Sequence, residues 1–489
     1  MPLASESYGK MTRPPVGRVP GQPATSTAPL PRARRRRDGL RIALFVLIFL
    51  DVSRLHQAWS ILAAIHVMQV LVACVLFYSV ANPKLLVDLR AWSGRWPARV
   101  VAALAALACL SAAFGLSFGA SASYILYEYS RTLILAFLLM ATIRNAHDLV
   151  FYAWAYVAAC AVLVYQAMFV FHLSNAGSAA FRLSNLYMYD ANDVTVVILA
   201  GLGLCFFTFQ TSGRLGKVAS AVIMAGMGVV LARSGSRGGF LGLVAFALAF
   251  LLIPAKTSLV KRVATLGVVA IALLLGSPEG YWRQMQTILS PEQDYNWSSP
   301  TGRRMLTKRG IGYMESYPLF GVGVSNFGRA EEELSERAKD WRPGMRHLYI
   351  AAPHNSYVQV GAEMGLPALL LWGSLVVGGA VSCWRLRRRR RGPPADGDPE
   401  QRLLNRFAET LPLSLVGFGV SAAFVSFAYL DPIYILAAFL TGIHVAARAK
   451  RDRDTAPVVP GPHTNSMSRP SSLRVPLVPA TALRSGQPR

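Results

Sequence analysis

Charged residues are scarce in this sequence, and acids are the scarcer sign. Asp, Glu, Lys and Arg make up 15% of the 489 residues, against about 25% in soluble domains. There are 25 acids and 50 Lys or Arg, so the formal net charge is +25. The 53% apolar fraction excludes a disordered chain. It also argues against nucleic-acid binding, which so high a charge would otherwise indicate.

Cysteines and familiar catalytic motifs are also scarce. The five cysteines all lie in or at the ends of apolar stretches, so we expect neither disulfides nor a small secreted scaffold. The chain has no Walker phosphate loop, no HExxH motif and no CxxC motif. The nucleotide, zinc-protease and redox sites that these motifs build are therefore not predicted.

Long apolar runs are what the sequence has in abundance. A membrane-spanning helix needs about 20 apolar residues. We therefore predict an all-α polytopic membrane protein with about twelve transmembrane helices and a large outer loop between the ninth and tenth. The runs are 40–55, 58–80, 100–118, 124–143, 149–171, 194–211, 218–232, 239–254, 263–277, 356–382, 411–428 and 432–448. The pair within 218–254 is short, so a re-entrant hairpin is the alternative to two crossings.

Basic residues indicate the orientation of the chain. Arg32 and Arg34 to Arg37 precede the first run, and with twelve crossings the other basic connections fall on the same face. Together these connections carry nearly all of the net charge. We therefore predict that this face, with both termini, is cytoplasmic. The predicted divisions are a disordered tail 1–38, a membrane domain 39–448 with an outer loop 278–355 and a cytoplasmic linker 385–410, and a disordered tail 449–489.

The first polar motif is Arg233-Ser-Gly-Ser-Arg237-Gly-Gly239, between the seventh and eighth runs. Guanidinium groups offer a planar fork of charged donors, and glycine permits close backbone approach, so the motif suits a phosphate. The alternative is a plain connection between two helices in which the arginines only mark the membrane interface.

The second motif is Thr301-Gly-Arg303-Arg304, which leads into Tyr317-Pro-Leu-Phe-Gly321-Val-Gly323. The proline and the two glycines predict a fixed turn. The outer loop 278–355 has ten basic and nine acidic residues, so Arg303 and Arg304 would have to act locally. The alternative is that they are ordinary loop charges.

The third motif is Pro353-His354-Asn355-Ser-Tyr357, at the outer mouth of the tenth run. The reference pKa of histidine is about 6.5, so His354 suits a general base. The alternative is an interfacial histidine satisfied by its neighbours. Helical spacing places Tyr357, Gly361 and Gly365 on one face of the helix that follows.

Acids within the apolar runs are interpreted as structural. Asp51/Arg54 and Glu128/Arg131 are spaced i,i+3 with opposite signs, so mutual neutralisation within one helix is the simplest account. Glu363 lies far from the other polar groups, and we expect it to be structural too.

Asp190 and Asp193 allow a second interpretation, because paired acids can coordinate Mg²⁺ or Mn²⁺. The sequence provides no third ligand nearby. We expect no metal, and we expect Asp193 to cap the helix that starts there.

Taken in order, these motifs resemble the O-antigen ligase and O-antigen polymerase superfamily of bacterial envelope glycosyltransferases. The resemblance covers roughly 180–370 in motifs and the whole membrane region in topology. The matching pieces are Arg182 with Tyr-Asp-Ala-Asn-Asp193, Ser236-Arg237-Gly-Gly, Thr301-Gly-Arg303, Tyr317-Pro-Leu-Phe-Gly-Val-Gly323, and His354-Asn355 with Gly365. Ala368 departs from the family pattern, in the helix after the site.

The resemblance implies an activity and a location. Such proteins transfer glycan from a polyprenyl pyrophosphate donor to an acceptor hydroxyl outside the bacterial cytoplasmic membrane, without a nucleotide sugar or a cofactor. Arg237 and Arg303 would stabilise the leaving pyrophosphate, His354 would accept the proton of the acceptor, and Arg182 would contact the donor. Further substrate-binding candidates are Arg233, Arg304, Asn355 and Tyr357.

The resemblance also implies partners and leaves alternatives. Expected partners are the lipid-linked glycan, a glycan or lipid acceptor, membrane lipid, a chain-length regulator and a flippase, with no nucleic acid. Polymerase and ligase share the same site residues, and we favour a polymerase or general exopolysaccharide assembly. A protein O-oligosaccharyltransferase differs only in its acceptor. A polytopic anion or small-molecule transporter would instead place its polar residues near the bilayer midplane.

Overall fold

The computed structural model describes most of the predicted membrane domain. The described residues are 39–58, 60–87, 89–174, 181–184, 189–253, 257–290, 292, 299, 302–336, 351–388 and 398–455. Outside them lie the predicted tail 1–38, Thr301, residues 389–397 of the predicted linker 385–410, and residues 456–489 of the predicted tail 449–489.

The described chain is almost wholly helical. The helices are α1 Gly39–Ser53, α2 Ser60–Ala64, α3 Val67–Ala81, α4 Leu89–Ser93, α5 Trp96–Phe114, α6 Phe118–Tyr124, α7 Ser130–Thr142, α8 Ala146–Phe169, α9 Ala191–Thr211, α10 Arg214–Ser234, α11 Arg237–Leu252, α12 Leu259–Gly276, α13 Tyr281–Gln286, α14 Arg303–Ser316, α15 Phe327–Glu333, α16 Ser356–Arg388, α17 Pro399–Ser421 and α18 Asp431–Thr455. A π-helical turn over Ile125–Tyr129 joins α6 to α7. Within the described residues, the one small departure from the predicted all-α class is an antiparallel pair, β1 His172–Ser174 with β2 Arg182–Ser184.

Nine helices within the described residues are long and apolar enough to cross a membrane. The other three helices at predicted runs are shorter: α1 and α3 have 15 residues each and α11 has 16. At 1.5 Å per residue they are about 22–24 Å long, less than the roughly 30 Å of the hydrocarbon core. The polytopic helical class is confirmed, and the number of twelve crossings stays a prediction.

Most of the helices have boundaries that differ from those of the predicted runs, as two of them show. The run 218–232 lies inside α10, whose 21 residues extend about 31 Å and suffice for a crossing. The run 411–428 belongs to α17, which begins at Pro399. It begins there because Asp398 caps it, accepting a hydrogen bond from the Gln401 amide, and proline is favoured in the first turn.

The centre of the molecule is formed by α9, α17 and α18, most of whose residues are buried. Gly203 shows how closely α9 and α17 approach. A Cβ at Gly203 would lie 2.5 Å from the Ser414 Oγ and 2.7 Å from the Thr410 carbonyl oxygen. Small residues at such crossings let two helix backbones pack together inside a membrane.

The acids and arginines within the apolar helices form a larger network than the two predicted pairs. Arg54 lies 3.4 Å from Asp51, and Arg131 lies 3.6 Å from Glu128. Arg54 also reaches Asp431 at 3.6 Å, and Arg131 reaches Asp51 at 4.0 Å. Because its four buried members balance in charge, the network joins α1, α7 and α18 without a net buried charge.

The glycine-rich segment Tyr317–Gly323 forms a tight turn against a kink in α16, as the motif predicts. Gly321 has φ 68° and Gly365 has φ 84°. A Cβ at Gly321 would lie 2.3 Å from the Glu363 carbonyl carbon, and one at Gly365 would lie 2.4 Å from the Leu319 carbonyl oxygen. Three backbone hydrogen bonds join the segments: Val322 N to Ala362 O, Gly323 N to Glu363 O, and Leu366 N to Pro318 O.

Glu363 secures the chain that follows this turn. Its carboxylate accepts hydrogen bonds from the Ser325 amide at 3.0 Å, the Phe327 amide at 3.2 Å and the Tyr429 hydroxyl at 2.6 Å. The contact with Phe327 satisfies the first amide of α15. The three contacts support the structural interpretation of this buried acid.

Helices α14 and α15 pack on α16 through a small apolar cluster that includes Leu306, Phe327 and Val358. Glu331 of α15 is buried and forms an ion pair with Arg309, whose Nε donates to both carboxylate oxygens. This pair ties α14 to α15.

Substitution of Gly365 tests the kink. Gly365→Ala should destabilise the protein by at least about 1–3 kcal/mol, because φ 84° and ψ 173° lie in a region that only glycine tolerates. Thermal unfolding in detergent should therefore show a clearly lowered Tm. Gly373→Ala in the same helix is the control, since a Cβ there meets nothing within 4 Å. Equal Tm values for the two variants would contradict this account of the kink.

Candidate functional site

The turn between α10 and α11 forms one wall of the candidate site. Gly235 ends α10 with φ 58°, and the Ser236 hydroxyl caps α11 by accepting the Gly239 amide at 3.0 Å. A Cβ at Gly238 would lie 2.5 Å from Phe424, and one at Gly239 would lie 2.7 Å from Thr195. In this motif, therefore, two of the glycines serve helix packing rather than approach to a ligand.

The two arginines of this turn are held differently. Arg237 is the first residue of α11, is half-buried, and donates from Nη1 to the Thr287 hydroxyl at 2.9 Å. Arg233 lies in the last turn of α10, and its Nε is buried without a hydrogen-bond partner among the described residues. Arg237 is thus oriented by Thr287, at the end of α13.

Arg182 lies against the same turn. A Cβ built on Gly235 would come within 3.3 Å of the Arg182 Cβ. The Gln284 side chain donates to the Gly235 carbonyl at 2.8 Å. Strand β2 and helix α13 therefore bring Arg182, Arg233 and Arg237 to one end of the helix bundle.

Arg303 and His354 form the other wall. Arg303 is the first residue of α14 and is half-buried, whereas Arg304 beside it is exposed. His354 lies two residues before the start of α16 with φ 49°, and its backbone amide donates to the Ser426 hydroxyl at 2.9 Å. A positive φ is uncommon for histidine, so the surrounding structure holds this residue in place.

The segment between α17 and α18 connects the two walls. Phe424 packs against Gly238 at the start of α11. Two residues further on, Ser426 accepts the His354 amide, and Ser356 bonds to the backbone of Val425 and Phe427. This one segment therefore contacts both the Arg237 turn and the His354 turn.

The electrostatic surroundings of His354 identify its charged neighbours. Burial lowers the pKa of His354 below its usual value, the positive charge of Arg303 lowers it further, and the carboxylate of Asp190 opposes them. Arg303 and Asp190 therefore both lie within electrostatic reach of the imidazole. The sequence motifs did not single out Asp190 as a neighbour of His354, because no spacing rule relates the two residues.

Two predicted substrate-binding residues have structural partners. The Asn355 side-chain oxygen caps α16 by accepting the amides of Tyr357 and Val358 at 3.0 and 3.2 Å. The Tyr357 hydroxyl donates to the Gly419 carbonyl at 2.9 Å, and its ring packs edge-on against Trp372. These contacts position the start of α16; direct contact of either residue with substrate stays a prediction.

The acids at the start of α9 cap that helix. Asp190, not Asp193 as expected, is the N-cap, and its carboxylate accepts the amides of Asn192 and Asp193. Asp193 returns a bond by accepting the Asp190 amide at 3.0 Å. This reciprocal arrangement is a capping box. Among the residues the structure describes, no three His, Cys, Asp or Glu side chains are grouped as a metal site.

The architecture and the comparisons agree on the class of protein. The chain is a multi-pass membrane protein in which arginines and a histidine gather at one end of the helix bundle. Residues 219–373 match the family described as O-antigen ligase. The match spans the Arg237 turn, Arg303 and His354. It confirms the resemblance to the O-antigen ligase and polymerase superfamily that the motifs indicated. None of the curated proteins compared with the chain matches it.

Substitution of Asn355 separates capping from substrate contact. Asn355→Ala should cost about 1 kcal/mol of stability, whereas Asn355→Ser should cost only a few tenths, because a serine hydroxyl also caps helices. Thermal unfolding measures this difference, and glycan transfer should follow the same order. An Asn355→Ser variant with wild-type stability but no transfer would instead show that the amide contacts substrate.

Proposed function

We propose that the protein transfers or polymerises polyprenyl-pyrophosphate-linked glycan on the outer face of the bacterial cytoplasmic membrane. The reaction is an inverting, metal-independent displacement. Arg237 and Arg303 bind the pyrophosphate, and His354 is the general base. The observation that carries the proposal is the gathering of these three residues at one end of a membrane-spanning bundle of the O-antigen ligase family.

The positions of the two arginines support a role in pyrophosphate binding. Arg237 and Arg303 are each the first residue of a helix, α11 and α14. The N-terminus of a helix carries a partial positive charge and unpaired amides, which favour an anion. Each arginine adds a full charge at such an end. Fixed donors of this kind stabilise the negative charge that develops on the departing group.

The chemistry balances with His354 as the only base. The acceptor hydroxyl oxygen bonds to the anomeric carbon from the face opposite the pyrophosphate. The bond from that carbon to the pyrophosphate oxygen breaks, and its electron pair leaves with the polyprenyl pyrophosphate. The hydroxyl proton passes to the imidazole of His354. Displacement from the opposite face inverts the anomeric configuration, and no covalent enzyme intermediate forms.

The state of His354 suits this role. Burial and Arg303 lower the pKa of His354, so the imidazole is neutral and able to accept a proton at neutral pH. A histidine with a raised pKa would be protonated there and unable to act as base.

The remaining predicted residues would assist at the edges of the site. Arg182 and Arg233 lie beside the Arg237 turn and would contact donor phosphate or sugar. Arg304 is exposed and would meet substrate from solution. We favour a polymerase over a ligase, with a chain-length regulator and a flippase as partners and both termini in the cytoplasm.

Loss of the proposed base or a proposed pyrophosphate ligand should abolish transfer. His354→Ala and Arg303→Ala should each lower transfer from a lipid-linked donor at least about a hundredfold, the typical contribution of a general base or a charge-stabilising donor. Transfer is measured with purified protein in vesicles, by the length distribution of lipid-linked glycan.

Lys308→Ala is the matched control, because Lys308 is an exposed cation of α14 outside the site. It should transfer glycan normally. Normal products from both site variants would refute the proposed mechanism. Saturable uptake of an anion into vesicles, lost in Arg237→Ala, would favour the transporter alternative instead.

The pH dependence of transfer tests the electrostatics. Activity should rise with pH through the pKa of His354, with the acid limb of kcat/KM below the reference value of about 6.5. Asp190→Asn should move this limb to still lower pH, because it removes the carboxylate that raises the pKa of His354. Asparagine retains the helix cap. Asp452→Asn, at the far end of α18, should leave the limb in place. A limb that moves to higher pH in Asp190→Asn would contradict the assignment.

A further inference from the structure

A cavity of about 530 Å³ lies at the end of the helix bundle opposite the candidate site. Its walls come from the last turns of α9, the first turns of α10 and α12, and one side chain of α17. Helix α9 starts beside the site at Asp190 and ends at Thr211. Its 21 residues place the cavity about 30 Å from the site, roughly the thickness of a membrane core.

The cavity is polar at one end and apolar at the other. Lys217 of α10 and Lys261 of α12 lie in the first turns of their helices, and Arg406 of α17 lies beside them in the cavity wall. About two turns closer to the bilayer centre, Met224 and Val268 line the cavity on the same two helices. Because each helix changes from polar to apolar in the same direction, the cavity matches a molecule with a polar head and an apolar tail.

The polar end is positively charged. No acid is among the described residues that line the cavity. Lys217 and Lys261 are exposed, and neither forms an ion pair with another described residue. Arg406 donates to the Thr257 hydroxyl at 3.0 Å and pairs with Glu409 at 3.1 Å. No acid of the described residues therefore compensates these two lysines, which favours an anionic head group.

We propose that this cavity binds one anionic phospholipid from the adjacent leaflet. Its phosphate lies between Lys217, Lys261 and the Thr257 hydroxyl, and part of an acyl chain packs along Met224 and Val268. Cationic pockets between transmembrane helices at the predicted cytoplasmic side suit phosphate head groups. The distance from the candidate site excludes the reacting pyrophosphate as the occupant. The site is thus independent of the proposed transfer reaction.

Retention of lipid by the purified full-length protein tests the proposal. Native mass spectrometry from detergent, with phosphatidylglycerol added, should show one retained lipid per chain. Phosphatidylethanolamine, which has no net charge, should be retained far less. Lys217→Ala/Lys261→Ala should weaken retention of phosphatidylglycerol about thirtyfold, the combined effect of two lysines near a membrane surface.

Arg214→Ala/Arg402→Ala is the matched control. Both arginines are exposed, lie at the same end of the bundle, and are not part of the cavity wall. The double control removes the same charge, so it should retain phosphatidylglycerol like the unmodified chain. Equal losses in the two double variants would refute a defined site and indicate only a general charge effect.

A variant that fills the apolar end keeps the test independent of charge. Ala221→Trp should reduce retention of phosphatidylglycerol while all the cations remain, because Ala221 lines the cavity. Unchanged retention in this variant would overturn the proposed position of the acyl chain. Selective retention of a polyprenyl phosphate in place of phospholipid would overturn the assignment of the ligand. Glycan transfer by these variants is a separate measurement, so failure of either proposal can be recognised alone.

Discussion

The candidate site depends on the contact between the Tyr317–Gly323 turn and the kink of α16 at Gly365. Helix α14, which begins at Arg303, leads directly into this turn, and His354 precedes α16 on the other side of the contact. Backbone hydrogen bonds connect the turn to the kink, and the close approach leaves no room for a Cβ at Gly321 or Gly365. The proposed ligand Arg303 and the proposed base His354 therefore lie on the two segments that this contact joins. Glu363 secures the chain that follows the turn.

The wall formed by the turn between α10 and α11 depends on a different constraint. Within a bilayer every backbone polar group must be satisfied by the protein, so helices continue until they reach the surface and their ends gather there. Turns between helices thus bring charged residues to the two ends of the bundle. The Arg237 turn reaches one end, and the segment from Phe424 to Phe427 links it to His354. The lysines of the lipid cavity reach the other end by the same rule.

Sequence patterns predicted the class of fold and the separate pieces of the site well. Apolar runs predicted the helices because burial in lipid demands them. The proline and glycines of the Tyr317–Gly323 segment predicted a turn because few residues adopt its backbone angles. Boundaries were less certain: α17 begins twelve residues before its apolar run, because polar helical turns that leave the membrane have no hydropathy signal. The i,i+3 pairs were predicted from their spacing, but the contact of Asp431 with Arg54 was not, because these two residues lie near opposite ends of the chain.

The sequence by itself determined that this chain is a helical membrane protein, which of its residues have unusual chemistry, and which family it resembles. These are properties of composition, local spacing and motif order. Only the tertiary structure decided that Asp190 and Arg303 act electrostatically on His354, that Asn355 and Tyr357 hold the start of α16, and that Lys217 and Lys261 share a cavity. Those relations join helices that are distant along the chain. They arise from packing, which no local pattern encodes.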